Sequence, residues 1–310
     1  MNFQQLRIIR ETVRQGYNLT EVANSLYTSQ PGVSKHIRDL EEELGVELFI
    51  RKGKRLIGLT EPGKELLVVV ERMLLDARNI KNLADQYSSR DVGLLTVVTT
   101  HTQARYSLPT VVSAFKSAFP KVHLRMHQGS PREITQMLLD GQADIGIATE
   151  VLAHMDDLIS FPYYQWRHSV VVKNDHPLLK LKAPTLADVA EYPIITYQEG
   201  FTGRIKIDET FQAQGLSPDI AISALDSDVI KTYVELGLGV GIIASMAYNP
   251  AKDNGLTLLD LGDVFPLNTT SIAVRKGHYL RSFACTFIEL CNPDMTEERL
   301  QSLLNERLQD

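Results

Sequence analysis

Apolar side chains at Phe3, Leu6, Ile9 and Val13 recur at helical spacing and predict a first amphipathic helix. Gly16 breaks it. Asn18, with Glu21 three residues later, has capping-box spacing and opens a second short helix carrying Val22, Ala23 and Leu26. The run Tyr27-Thr28-Ser29-Gln30-Pro31-Gly32 supplies a capping hydroxyl and a proline suited to a first helical turn. Val33, Ile37, Leu40 and Leu44 follow at 4-3-4 spacing, so a third helix covers 31–44 with one apolar stripe. Its polar face presents Gln30, Ser34, Lys35 and Arg38. Phe49 to Leu56 reads as two short apolar pieces around the basic turn Arg51-Lys52-Gly53-Lys54-Arg55, a hairpin or wing. A further helix opens at Thr60-Glu61-Pro62. Along it Leu66, Val70, Met73, Ala77, Ile80, Ala84 and Tyr87 keep a strict 4-3 alternation, the seam of a short coiled coil or a face packed on its own domain. Ser88-Ser89-Arg90-Asp91 ends that helix and marks a domain boundary.

From Gly93 to about Arg275 the texture changes. Leu94–Val98, Val122–Met126, Ala143–Ala148, Ser169–Val172, Ile194–Thr196, Ile220–Ile222, Val240–Ile243 and Ser271–Val274 read as strands. Thr110–Ala118, Glu133–Leu139, Asp228–Leu236 and Ser282–Leu290 read as helices between or after them. This is the rhythm of mostly parallel sheets covered by helices, either one large sheet or two small ones.

With 310 residues, 44% hydrophobic and 23% charged, the chain is expected to be globular with two or three domains. No apolar run reaches the ~18–20 residues of a membrane span, and Met1 to Arg7 lacks a basic stretch leading into an apolar core, so a cytoplasmic protein is expected. Cys285 and Cys291 fall six apart on a predicted helix and so on different faces, which agrees with a reducing compartment. Net charge is -6, but residues 1–64 hold ten Lys or Arg against eight Asp or Glu. The sign of that asymmetry favours a nucleic-acid contact near the N-terminus.

Three helices with a short second connection form a helix-turn-helix, in which Gln30, Ser34, Lys35 and Arg38 meet base edges or phosphates. Arg51, Lys52, Lys54 and Arg55 on the wing suit neighbouring phosphates; a helical docking domain is the plainer alternative. Further along, hydroxyls and amides cluster at strand ends: Thr99-Thr100-His101-Thr102-Gln103, Gln128-Gly129-Ser130, Thr149, and Phe201-Thr202-Gly203-Arg204 before a helix. Outside the carboxyl ends of strands such groups suit a small oxyanion, although each alone is explained by ordinary capping. Catalytic patterns are missing: no Gly-x-Ser-x-Gly elbow and no phosphate-binding glycine loop. Gly237-Leu238-Gly239-Val240-Gly241 precedes a strand and reads as a tight helix-to-strand turn. His123 and His127 lack a carboxylate partner and make a poor metal site. Trp166, the single tryptophan, belongs to core or cleft wall.

The sequence resembles the LysR-type transcriptional regulators over essentially its whole length. Ala23, Leu26, Ser29-Gln30-Pro31-Gly32-Val33-Ser34, Ile37, Leu40-Glu41, Leu44-Gly45, Leu48-Phe49, Arg51 and Leu59-Thr60-Glu61-Pro62-Gly63 carry the N-terminal likeness. Tyr27 to Gly32, Thr99 to Tyr106, His127 to Pro131, Ala148-Thr149-Glu150, Gly200 to Arg204 and Asp228 to Tyr233 resemble the branch of cysteine-regulon activators. The resemblance implies an α/β protein: a winged helix-turn-helix over 1–58, a dimerising linker helix over 59–90, and an effector domain over 91–310 of two α/β subdomains, as in periplasmic solute-binding proteins. Subdomain I would take about 91–162 and 267–310, subdomain II about 163–266. The implied partners are promoter DNA, RNA polymerase, further copies of the chain as a dimer of dimers, and a small effector that is sulfate, thiosulfate or an acetylated serine, with no cofactor. The implied effector ligands are Thr100, Thr102, Gln103, Thr149 and Thr202, with Ser130 and Trp166 near the cleft. Gln198-Glu199 and Leu225 depart from the branch pattern, so a carboxylate stands beside the cleft. A same-family regulator of organosulfonate use and, in another class, a solute-binding protein are the competing readings.

Overall fold

A computed structural model describes residues 1–149, 152 and 155–306. Glu150, part of one of the motifs above, lies outside them. The chain divides into two compact units, Met1–Ala84 and Asp85–Asp310.

In the first unit, α1 (Phe3–Arg14), α2 (Leu19–Ser25) and α3 (Gln30–Leu44) precede a two-stranded hairpin, β1 (Phe49–Lys52) and β2 (Arg55–Leu59), and the long helix α4 (Glu61–Ser88) begins after it. Ile8, Ile9, Val22, Val33, Ile37, Leu40, Leu48 and Phe49 form one buried core. Three positions of the sequence pattern fall outside it: Phe3 and Leu44 are exposed, Leu6 packs on α4 instead, and Ile8 takes the inward place on α1. Ser29 caps α3, its hydroxyl accepting from the Gly32 amide, and Gly45 in the left-handed region closes it. Gly63 allows the first turn of α4 to lie on the Leu48 carbonyl, which a Cβ would meet at 2.1 Å.

The seam on α4 splits in two. Val70, 1% exposed, and Leu74 pack on Leu6 of the same chain, with Leu66 and Met73 against them. Ile80, 70% exposed, and Tyr87 are bare.

The second unit holds two five-stranded sheets. The first runs β4 (Val122–Gln128), β3 (Gly93–Thr99), β5 (Ile145–Thr149), β12 (Asn268–Arg275), β6 (Leu158–Trp166), and the second β11 (Leu256–Leu259), β7 (His168–Lys173), β10 (Val240–Ala244), β8 (Ile194–Tyr197), β9 (Ile220–Ala224). Each is mixed and not mostly parallel as the sequence pattern suggested: β3 pairs parallel with β4 and β5, and β8 with β9 and β10, whereas β12, β6, β7 and β11 join antiparallel. The antiparallel strands flank the two passages of the chain between lobes, at Arg167 and between Leu259 and Asn268. The first lobe keeps its strand through Trp166, beyond the residue 162 suggested by resemblance.

Helices cover both faces of the first sheet. Helices α5 (Leu108–Ala118) and α10 (Ser282–Cys291) pack Val111, Phe115, Phe283 and Phe287 on one side. On the other, α6 (Pro131–Leu139) packs Ile134 and Leu138 against Val98 and Ala148. This two-sided burial explains why β5 is an unbroken buried run, Ile145–Thr149, rather than an alternating one. In the second lobe α7 (Leu186–Ala190), α8 (Arg204–Ala213) and α9 (Ser227–Glu235) do the same with Val189, Ile207, Phe211, Ile230 and Val234. A last helix, α11 (Glu297–Glu306), closes the described chain. Cys285 and Cys291 are buried and unpaired, and burial pushes both thiols up to about 12. Among the described residues no helix is long and apolar enough to cross a membrane.

The split seam separates two roles on one helix. Val70→Asp places an unpaired charge against Leu6 and should cost about 3–5 kcal/mol in chemical denaturation. Ile80→Asp, on the bare half, leaves the packing within the chain intact, so any loss it causes in the same measurement should depend on protein concentration.

Candidate functional site

On the N-terminal unit the polar face of α3 is exposed at Gln30, Lys35 and Arg38, and Ser34 is half-buried. The Gln30 amide donates to the Ser34 hydroxyl at 3.2 Å, so this pair is pre-arranged on the first turn. Lys52, Lys54 and Arg55 are exposed on the hairpin. Arg51 differs: its guanidinium pairs with Glu41, whose carboxylate also accepts from the Leu48 and Phe49 amides at 2.9 and 3.2 Å. It therefore braces the foot of the wing. Tyr27, which the sequence reading passed over as a contact, is 98% exposed just before α3 and sits in the left-handed region at φ 51°.

In the second unit the strand ends converge as the sequence suggested, at the carboxyl ends of parallel strands. Thr100 follows β3, Thr149 ends β5, and Thr202 precedes α8 across the cleft. With Pro131, Gly200, Phe201, Gly203, Arg204 and Ile205 they line a cavity of about 80 Å³. Among the described residues no group bonds to the Thr100, Thr149 or Thr202 hydroxyl.

The other expected ligands lie off the cavity lining. Thr102 is 1% exposed, and its hydroxyl has no partner among the described residues. Gln103 opens a π-helical turn, Gln103–Ser107, and its amide is engaged: Nε2 donates to Thr270 at 3.2 Å, and Oε1 accepts from Tyr164 at 2.6 Å and Ser107 at 2.8 Å. The Trp166 indole donates to the same Thr270 hydroxyl at 3.0 Å. Ser130 caps α6 in a closed box, its amide and hydroxyl both donating to Glu133 at 2.7 and 2.8 Å. That carboxylate occupies the start of α6. By contrast α8 follows Gly203 with no side-chain cap; its Arg204 and Lys206 amides donate to the Phe201 and Gly203 carbonyls, so of its first three amides only that of Ile205 is left to an anion.

The loop before α8 is strained. Thr202, a β-branched residue, has φ 42°, a conformation costing about 1–3 kcal/mol that its surroundings must offset. Arg204 supplies no free charge to the cavity: it donates to the Tyr197 carbonyl at 2.6 Å and to Asp208 at 2.8 Å. Glu199 and Leu225, the departures from the branch pattern, are exposed where β8 and β9 end and do not line the cavity.

A second polar cluster joins the lobes. From the first lobe Tyr106 donates to Asp228 at 2.7 Å and Arg105 pairs with it at 2.6 Å; from α9 itself Lys231 lies 3.3 Å away. Burial would raise the Asp228 carboxyl, but the Tyr106 hydrogen bond and the Lys231 and Arg105 charges hold it below the usual carboxylate range. His101, Asp226 and Asp228 come close enough to share a cation, yet the donors already on Asp228 oppose one. Sequence reading alone could not find this cluster, because its halves are more than a hundred residues apart.

Two family models match the chain, the bacterial regulatory helix-turn-helix protein of the lysR family over residues 3–64 and the LysR substrate binding domain over 88–296. The chain belongs to the LysR family of transcriptional regulators. It is 56% identical to the transcriptional regulator SsuR of Burkholderia cenocepacia, over 99% of each chain, and 52% identical to CysB of the same organism, over 98% of this chain and 97% of the other. The crystal structure of the cofactor-binding domain of the Cbl transcriptional regulator superposes with a TM-score of 0.66 at 45% identity, covering 69% of this chain and 93% of that one. Membership makes the chain a regulator and not an enzyme, and sets aside the solute-binding reading.

Two predictions follow from this geometry. Lys54→Ala should flatten the salt dependence of DNA binding by about one unit, as loss of a phosphate contact does, whereas Arg51→Ala should act on the stability of the wing by about 0.5–1 kcal/mol; filter binding against salt and thermal melts separate the two. The second concerns His168, the first residue of β7, 4% exposed. Burial lowers its pKa from 6.5 to about 4, against the opposing hydrogen bond to Thr202. The unfolded chain therefore binds a proton that the folded chain refuses. Stability is complete above pH 6.5 and should fall by roughly 3 kcal/mol as pH drops to 4. Denaturation midpoints across that window should show this slope, and His168→Gln should reduce it.

Proposed function

We propose that this regulator activates genes of sulfate assimilation and cysteine synthesis, and that its signal is a small sulfur-linked molecule held in the cleft: sulfate, thiosulfate or an acetylated serine. The carrying observation is the cavity formed by three uncommitted threonine hydroxyls and the uncapped start of α8. At about 80 Å³ it has room for a few water molecules' worth of ligand, a size that suits sulfate or thiosulfate better than the larger acetylated serine. Neutral donors around an anion give affinity through oriented hydrogen bonds. Thr102, with its unspent hydroxyl, and Gln103 join the ligand set when an ion draws them in; Ser130 and Trp166 support the walls.

Promoter DNA is read by α3 through Gln30, Ser34, Lys35 and Arg38, with Lys52, Lys54 and Arg55 on phosphates and Arg51 holding the wing in place. RNA polymerase is the downstream partner. The bare half of the α4 seam, Ile80 to Tyr87, meets a second copy, and pairs of such dimers form the working oligomer. Ile80→Asp should accordingly lower the mass seen by light scattering.

A second reading, control of organosulfonate use, is favoured by Glu199 and Leu225, exposed at the ends of β8 and β9 where the pattern of cysteine-regulon activators differs. Mobility shift on promoter fragments from a sulfate-transport operon and a sulfonate-uptake operon, with each of the three ligands added, tests both. The first reading expects ligand-dependent binding to the sulfate-transport fragment; preference for the other fragment favours the second. Thr100→Ala or Thr202→Ala should each lose about 1.5–3 kcal/mol of ligand affinity by calorimetry while still binding DNA. Absence of any ligand response in the wild type would overturn the effector assignment.

A further inference from the structure

The strained Thr202 is held from behind by His168, which Asn268 in turn contacts. His168 Nε2 lies 2.9 Å from the Thr202 carbonyl, and the Asn268 side-chain amide lies 3.3 Å from His168 Nδ1. A carbonyl can only accept, so Nε2 carries the proton. Nδ1 is then bare and accepts from Asn268. Both residues are buried, and the imidazole sits among Trp166, Tyr197 and Phe265 with ring centroids 4.9, 6.1 and 5.8 Å away. The loop presses so closely on this pair that a Cβ at Gly203 would fall 2.5 Å from Asn268 Oδ1 and 2.9 Å from His168 Cε1. His168 opens β7 and Asn268 opens β12, each at one of the two passages between the lobes, and Asn268 stands opposite Trp166 across the β12–β6 ladder.

We propose that His168 and Asn268 are positioning residues for the effector site: together they hold Thr202 in its left-handed conformation, aim its hydroxyl and the start of α8 into the cavity, and tie that loop to both interlobe passages. This rests on the effector reading of the cleft. Without the imidazole N–H, the Thr202 carbonyl is a buried acceptor with no donor, and the loop relaxes toward the right-handed region that a β-branched residue prefers. Ligand donors leave their places although no ligand-touching residue has changed.

The test uses the full chain with sodium sulfate and sodium thiosulfate as probes in calorimetry. His168→Phe keeps a ring between Trp166 and Phe265 and deletes the donor; binding should weaken at least about tenfold, with the thermal midpoint monitored alongside. His168→Gln places an amide nitrogen the same number of bonds from the backbone and should restore affinity to within about threefold of wild type. Binding by His168→Phe as tight as wild type, or equal loss in both variants, overturns the proposal. Nitrogen NMR of the wild type provides a check independent of any variant: it should show a neutral His168 imidazole protonated at Nε2 at pH 7, and an Nδ1-protonated ring or an imidazolium overturns the proposal. If the wild type binds neither probe, the cleft reading itself falls and the positioning role falls with it.

Discussion

Everything in the effector unit turns on the chain crossing between its lobes at two neighbouring places. The crossings follow β6 at Arg167 and precede β12 at Asn268, and the Asn268–Trp166 pairing holds them side by side. Two adjacent tethers permit one lobe to rock on the other and little else, which is hinge geometry. The same tethers make both sheets mixed, since the strands beside them run against the parallel core. The cavity lies between parallel strand ends of the first lobe and the start of α8 in the second, so whatever fills it bears on the hinge. A second load across the lobes is the grip of Arg105 and Tyr106 on Asp228.

Much of this was legible in the sequence, and the exceptions have physical reasons. Helices α1 to α4 and the hairpin were readable because each carries a one-sided apolar stripe, a cap or a turn residue. Strands β6 and β11 escaped: both are edge strands, and β6 contains Pro162 among aromatic and polar residues, which an edge with a register shift tolerates and a central strand does not. The split of the α4 seam was invisible because a heptad pattern says which side is apolar and not what covers it. Val70 meets Leu6, sixty-four positions earlier.

The site shows the same division. Thr100, Thr149 and Thr202 could be named from strand ends and resemblance, and they do meet. The commitments of their neighbours could not be read in advance. Gln103 bonds to Thr270, Tyr164 and Ser107, and Ser130 is closed off by Glu133. Arg51 belongs to a basic run that any reading gives to phosphates, yet Glu41 claims it because that carboxylate must also satisfy two amides at the foot of the wing. The His168–Asn268 pair had no local signature at all: a histidine before a valine-rich strand and an asparagine a hundred residues later acquire meaning only when the two crossings lie together.

The two cysteines have a practical consequence. Thiolate is the form that reacts with maleimides and other alkylating probes, and neither Cys285 nor Cys291 offers it readily: both are buried, Cys285 beside Gln301 of α11 and Cys291 beside Tyr163 of β6, and burial pushes both thiols up. The native fold should therefore label slowly at its own thiols without any residue being removed. A single cysteine introduced on the wing or at the rim of the cleft would be the one reactive point, and fluorophores could be placed there, one per chain, on an otherwise unaltered protein.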